Sequence, residues 1–251
     1  MNRKLLFRLA LPALLLGILL IAGCGTDSPQ NTFASEGDVA EKQRDLFYLV
    51  MWPAVGVLVI VEGALIIALL RFRRKKDSPV PKQLHGNTRL EIAWTLAPAL
   101  LLASLAVPTM ATIFDLAESP SADALSVKVI ARQWSWQFDY PGFVNRQGQP
   151  VSEINELRIP VGRDIRAEVV SDDIIHSFWV PRLAGKIDAI PGKSNDITFN
   201  AAAPGEYAGQ CAEFCGLGHA LMRLKIIAMP QAEFDNWIKE QQSAAGASAA
   251  R

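Results

Sequence analysis

The sequence predicts a membrane-anchored all-β protein: a hairpin of two apolar helices followed by an external β-sandwich or barrel. Three observations carry this. Half of the 251 residues are hydrophobic, and three apolar blocks crowd the first 114. A basic cluster separates the second block from the third, and from Leu125 onward the apolar periodicity shortens to that of strands.

The first block opens with Met1-Asn2-Arg3-Lys4, continues apolar over residues 5–22 and ends in Ile21-Ala22-Gly23-Cys24. A basic start, an apolar middle and small residues before a cut make a signal peptide over residues 1–23. The Ile-Ala-Gly-Cys ending resembles a bacterial lipobox, which implies cleavage before Cys24 and a lipid on its sulfur. Residues 24–45 then form a polar external segment.

Residues 46–114 carry the membrane hairpin. The stretch 46–70 is apolar with one acid, Glu62, and is long enough to span a bilayer with some tilt. Arg71-Phe72-Arg73-Arg74-Lys75-Lys76 follows and marks the cytoplasmic side. Residues 92–114 form a second span back to the outside. An acid inside a span is costly, and Glu62 is expected to pack against a partner subunit. Glu91, at the start of the second helix, is explained most simply as an acidic charge favoured by the helix dipole.

Residues 115–241 form the external domain. Segments 125–131, 156–160, 164–170, 194–199 and 221–228 alternate in part and are separated by Gly, Pro, Asp or Asn, as in all-β sandwiches and barrels. Pro230 introduces a closing helix over residues 231–241, with Phe234, Trp237 and Ile238 on one face. Residues 242–251, rich in Ala, Ser and Gly, form a disordered tail.

Net charge is zero overall, but Asp115 to Glu240 carries 17 acidic and 12 basic residues. No basic stripe with interleaved aromatics is present, which argues against nucleic-acid binding. No Cys-x-x-Cys-His occurs, so no c-type haem is attached to this chain.

The chemistry concentrates in residues 210–222, where Cys211, Cys215, His219 and Met222 supply soft or borderline ligands. In an exported domain two thiols four apart can form a disulfide. Cys215-x-x-x-His219-x-x-Met222 with a distant His is instead the ligand set of a mononuclear blue-copper site. His176 is available upstream, and the third histidine, His85, lies on the cytoplasmic side. Cys211 is a thiol that a mononuclear site does not need. Two thiolates can bridge two coppers and spread the charge, so the loop reads as a dinuclear copper centre.

His176 and Cys211-x-Glu213-x-Cys215-x-x-x-His219-x-x-Met222 resemble the CuA motif of subunit II of haem–copper cytochrome c oxidases, over residues 46 to about 238. The resemblance implies a cupredoxin-like sandwich behind the two-helix hairpin. It also implies that Cys211 and Cys215 bridge both coppers, with His176 and Met222 on one and His219 and the Glu213 carbonyl on the other. The Glu213 carboxylate would bind Mg2+ shared with subunit I.

By the same resemblance, Trp134 in Arg132-Gln133-Trp134-Ser135-Trp136 is the point where electrons enter beneath docked cytochrome c, although a sandwich tryptophan is ordinarily packing. Glu91 aligns with a glutamate at a proton-channel mouth. Asp139, Asp172 and Asp173 would steer a basic donor; Tyr140-Pro141-Gly142-Phe143 follows Asp139 where mitochondrial relatives carry a denser acidic run.

The function so implied is the electron-accepting subunit of a respiratory oxidase in a bacterial inner membrane. Subunits I and III would be its partners, with the haems in subunit I, oxygen reduction there and proton pumping coupled to it. The alternative is a membrane-tethered copper chaperone or thiol oxidoreductase of the Sco type, which would need helices and strands alternating around its cysteines and a His after them. A quinol oxidase subunit II lacks the copper ligands, and the two-span anchor disfavours the CuA domain of nitrous oxide reductase.

Overall fold

The computed structural model describes residues 28–74, 86–118 and 120–243, together with Gly17 and Gln83. Apart from Gly17, the expected signal peptide lies outside the described residues, as do Cys24, His85 and all of the tail beyond Ser243.

Two long helices come first: α1, Asp38–Arg71, and α2, Thr88–Leu116. Each extends beyond its expected apolar span, because polar residues at the ends continue the helix into water. Their apolar side chains face outward, with Ile60 72%, Leu69 71% and Val107 72% exposed, the surface expected of helices solvated by lipid or by another membrane subunit. The Asn87 side chain caps α2, accepting from the N–H groups of Arg89 and Leu90, and Glu91 reaches back to accept from the Asn87 N–H at 3.2 Å. Glu91 thus satisfies a helix-end donor, as its position at the start of a helix suggested. Glu62 is exposed on α1.

The start of α1 is seated on the external domain. Ala40 is buried and its N–H donates to the Leu183 carbonyl, while Ala202 N–H donates to the Glu36 carbonyl at 2.7 Å. Glu36 pairs with Arg182 at 2.8 Å, and Lys42 joins α1 to Asp115 of α2 at 2.5 Å. These contacts tie the sandwich to the outer end of the hairpin.

The external domain is a cupredoxin-like sandwich of two five-stranded sheets. One contains β1 (Leu125–Arg132), β2 (Ser135–Val144), β3 (Pro150–Ile154), β5 (Ile165–Ser171) and β8 (Asn195–Phe199), in the order β3-β2-β1-β5-β8. The other contains β4 (Glu156–Pro160), β6 (His176–Trp179), β7 (Ile187–Ala189), β9 (Gly205–Cys211) and β10 (Arg223–Met229), in the order β4-β10-β9-β6-β7. Both sheets are mixed: β1 runs parallel to β5 and β4 parallel to β10, and the other pairings are antiparallel. Every second residue points inward. Val127, Val129 and Ala131 of β1, Trp136, Phe138 and Tyr140 of β2, and Leu157, Phe178 and Ile226 from the facing sheet meet in one core.

Helix α3, Gln231–Ser243, closes one side with Phe234 and Ile238 buried and Trp237 edge-on to Tyr140 at 5.3 Å. It runs two residues past its expected end.

Candidate metal centre

Three loops at one end of the sandwich converge. The first is the turn Gln133-Trp134 between β1 and β2, where Arg132 pairs with Ser135. The second, residues 172–175, leads from β5 into β6 and delivers His176. The third runs from Cys211 at the end of β9 to Met222 before β10. The Cys211 N–H donates to the Met222 carbonyl at 2.9 Å and closes this loop at its base. Inside it Gly216 has φ +106°, a backbone state that a side chain disfavours. His219–Leu221 forms a single 3₁₀ turn.

The soft donors meet inside this cluster. Cys211 Sγ and Cys215 Sγ lie 3.7 Å apart, both thiols free, which excludes the disulfide reading for this structure. His176 Nδ1 is 3.9 Å from Cys211 Sγ, His219 Nδ1 3.6 Å from Cys215 Sγ and Met222 Sδ 3.8 Å from Cys215 Sγ. The Glu213 carbonyl oxygen is 3.2 Å from Cys211 Sγ. Ligand atoms of His176, Cys211 and Cys215 all lie within 4.8 Å of one another. Two thiols, two imidazoles, a thioether and a carbonyl around one small volume fit copper better than a hard cation.

Four of the donor residues are buried, whereas His219 is partly exposed and Glu213 exposed at the rim. His176 and Cys215 are 0% and Met222 1% exposed. Burial, with the neighbouring Cys211 thiol, pushes the Cys215 thiol up to about 12, so a metal must displace a tightly held proton to engage it. Burial also works to raise the Asp173 carboxyl, but the His176 ring and the backbone N–H groups of Gln133 and Ile174 outweigh it and hold the group below its ordinary value.

Trp134 covers this loop. Its indole N–H donates to the Cys215 carbonyl at 3.1 Å, the ring presses on Gly218 and 42% of the residue stays exposed. Gln133, quoted with the Trp motif but given no role there, donates its side-chain amide to the same carbonyl at 2.9 Å. Phe214 lies edge-on to His219 at 5.7 Å, a contact that loop spacing does not encode.

The acidic residues do not form a free patch. Asp172 is paired with Arg132 at 2.6 Å. Asp139 accepts from Gln137 at 2.8 Å, and Asp173, though its side chain remains 32% exposed, directs its carboxylate to the buried His176 ring. The Glu213 carboxylate lies 3.8 Å from Lys186 Nζ. Glu91, at the start of α2, is not among the donors gathered around Cys211 and Cys215.

The family model for cytochrome c oxidase subunit II, transmembrane domain, matches residues 30–112, and that for the periplasmic domain of the same subunit matches residues 145–229. Cytochrome c oxidase subunit 2 of Alkalihalophilus pseudofirmus is 38% identical over 227 residues, covering 88% of this chain and 65% of the relative, so the chain spans just under two thirds of that protein's length. The subunit 2 of Oenothera berteroana is 32% identical over 214 residues, covering 77% and 83%. A quinol oxidase subunit 2 of Bacillus spizizenii is 32% identical over 255 residues, covering 96% and 75%. With both halves of the molecule matched, the chain belongs to the cytochrome c oxidase subunit II family.

Proposed function

We propose that the chain is the electron-accepting subunit of a respiratory cytochrome c oxidase, holding a dinuclear copper centre outside a bacterial inner membrane. The observation that carries this reading is the convergence of six donors, from Cys211, Cys215, His176, His219, Met222 and the Glu213 carbonyl, in a largely buried site beneath an exposed tryptophan.

Copper held by the Cys211 and Cys215 thiolates, His176, His219, Met222 and the Glu213 carbonyl would supply a one-electron carrier of low reorganisation. The protein's part is to hold the donors. The β9 and β6 strand ends fix Cys211 and His176, the closed loop fixes Cys215, His219 and Met222, and the sandwich core keeps water away. Trp134, bonded to the Cys215 carbonyl and open to solvent on its other side, is the side chain at which a donor protein makes contact. The seating of α1 on the sandwich holds the site above the partner that receives the electron.

The finer roles follow the family. Cytochrome c is the donor, the haems sit in subunit I, where oxygen is reduced with coupled proton pumping, and subunit III completes the complex. Glu213 contributes its carboxylate to Mg2+ at the boundary with subunit I, and Glu91 stands at a proton-channel mouth besides capping its helix. Asp139, Asp172 and Asp173 would steer a basic donor, although their internal pairing leaves a reduced steering field. Cys24 carries the lipid.

The likeness to a quinol oxidase subunit makes the donor the discriminating question, and the complete ligand set favours cytochrome c. The all-β setting and the order of His176 before the cysteines disfavour the Sco-type alternative. The test is turnover of the assembled complex with reduced cytochrome c or with quinol as sole donor. Oxygen uptake with cytochrome c that is lost in Cys215→Ser supports the proposal; uptake with quinol alone refutes it.

A further inference from the structure

Asp173 sits between two parts of the site that are distant in sequence. Its Oδ1 faces His176 Nε2 at 2.8 Å and accepts from the Ile174 N–H at 2.6 Å and the Ser171 hydroxyl at 3.3 Å. Its Oδ2 accepts from the Gln133 N–H at 2.7 Å. Two of these contacts are local and shape the β5–β6 turn. The other two reach the buried ring that supplies a copper ligand and the backbone of the turn that carries Trp134.

The contact with His176 decides the state of the ring. A neutral imidazole has one N–H and one lone pair. With a carboxylate 2.8 Å from Nε2, the hydrogen belongs on Nε2, which leaves the lone pair on Nδ1, the atom facing Cys211 Sγ at 3.9 Å. A carboxylate behind a metal-ligating histidine fixes its tautomer, orients the ring and raises its basicity. The second oxygen anchors Gln133, whose side chain, like the indole of Trp134, bonds to the Cys215 carbonyl. One carboxylate therefore sets the His176 ring and the seat of Trp134 together.

We propose that Asp173 is a positioning residue of the copper centre that couples the geometry of His176 to that of the Trp134 turn, and that its carboxylate serves this inward purpose ahead of donor steering. This rests on the dinuclear copper reading. Asp172, next in sequence, is the contrast: it points to the outer face and pairs with Arg132.

The full chain is solubilised, loaded with copper and compared as wild type, Asp173→Asn, Asp173→Ala and Asp172→Asn. The copper EPR spectrum, the reduction potential, copper retention against a chelator and the salt dependence of reduction by cytochrome c are followed. Both Asp173 variants are expected to alter the hyperfine pattern and potential and to weaken copper retention by about 10- to 100-fold, while Asp172→Asn leaves spectrum and potential as in the wild type. Asp173 variants that keep both and only slow association at low salt overturn the inference and make the residue a docking charge. Failure of wild type to hold two coppers refutes the underlying reading instead.

Should the variants not fold, the wild type still decides. The copper-loaded chain is expected to show a His176 ring N–H proton resonance shifted downfield and slow to exchange with solvent. Its absence removes the hydrogen bond on which the inference stands.

Discussion

Gly218 offers a substitution whose consequence is set almost entirely by one neighbour. Its φ of −89° suits any residue, so Gly218→Ala introduces no backbone strain. The new Cβ, however, would lie 2.3 Å from Trp134 Cδ2 and 2.5 Å from Cγ. Ordinary contact requires the indole to retreat by about an ångström. A core would resist such crowding at about 1–3 kcal/mol, but the ring is partly open to solvent and can swing outward. The cost then approaches that of losing its bond to the Cys215 carbonyl, about 0.5–1.5 kcal/mol. Copper binding should survive, because the three nearest atoms met by this Cβ all belong to the Trp134 ring. Reduction by cytochrome c, followed by stopped flow on the copper-loaded chain, should slow by up to about 100-fold, the scale of a one-ångström misplacement. A variant with an unchanged copper spectrum and an unchanged reduction rate would refute the role given to Trp134.

Other expectations follow from the same contacts. Tyr140→Phe removes a buried hydroxyl that donates to the Arg158 carbonyl and accepts from the Arg158 N–H, both at 2.9 Å; denaturant unfolding should show a loss of about 1–3 kcal/mol with the copper spectrum retained. Met222→Leu keeps the buried volume but removes a thioether that would act as a weak, potential-tuning copper ligand, so the chain should fold and bind copper with a shifted reduction potential, read by potentiometric titration. In the metal-free chain burial raises both the Cys215 thiol, to about 12 from 9.0, and the Tyr140 phenol. The folded state therefore keeps protons that the unfolded state has released. Stability is full below pH of about 9 and declines as pH rises toward about 12. Urea midpoints should fall across that window without copper and fall less with it, since bound thiolates have already lost their protons.

Much of this was legible before any coordinates. The membrane hairpin announced itself through unbroken apolar runs around a basic cluster, because a span must satisfy its own backbone and present apolar side chains. The ligand loop was legible because its donors are rare residue types at short spacing. Strands β2, β6 and β9 were harder. β2 mixes Gln, Asp, Pro and Gly with its aromatics, and β6 is four residues long, so neither gives a clean alternation. The helix ends were missed outward because hydropathy marks the lipid boundary, whereas α1 continues to Asp38 by docking Ala40 and Glu36 on the sandwich. Asp173 shows the limit most clearly. Asp172 and Asp173 are identical letters side by side, and only the fold turns one toward Arg132 and the other toward His176.

The most direct test of the account is the metal content and EPR spectrum of the solubilised full chain reconstituted with copper. It predicts two coppers per chain and a mixed-valence signal with seven hyperfine lines. One copper with a mononuclear type 1 signal, or a metal-free Cys211–Cys215 disulfide, would contradict it.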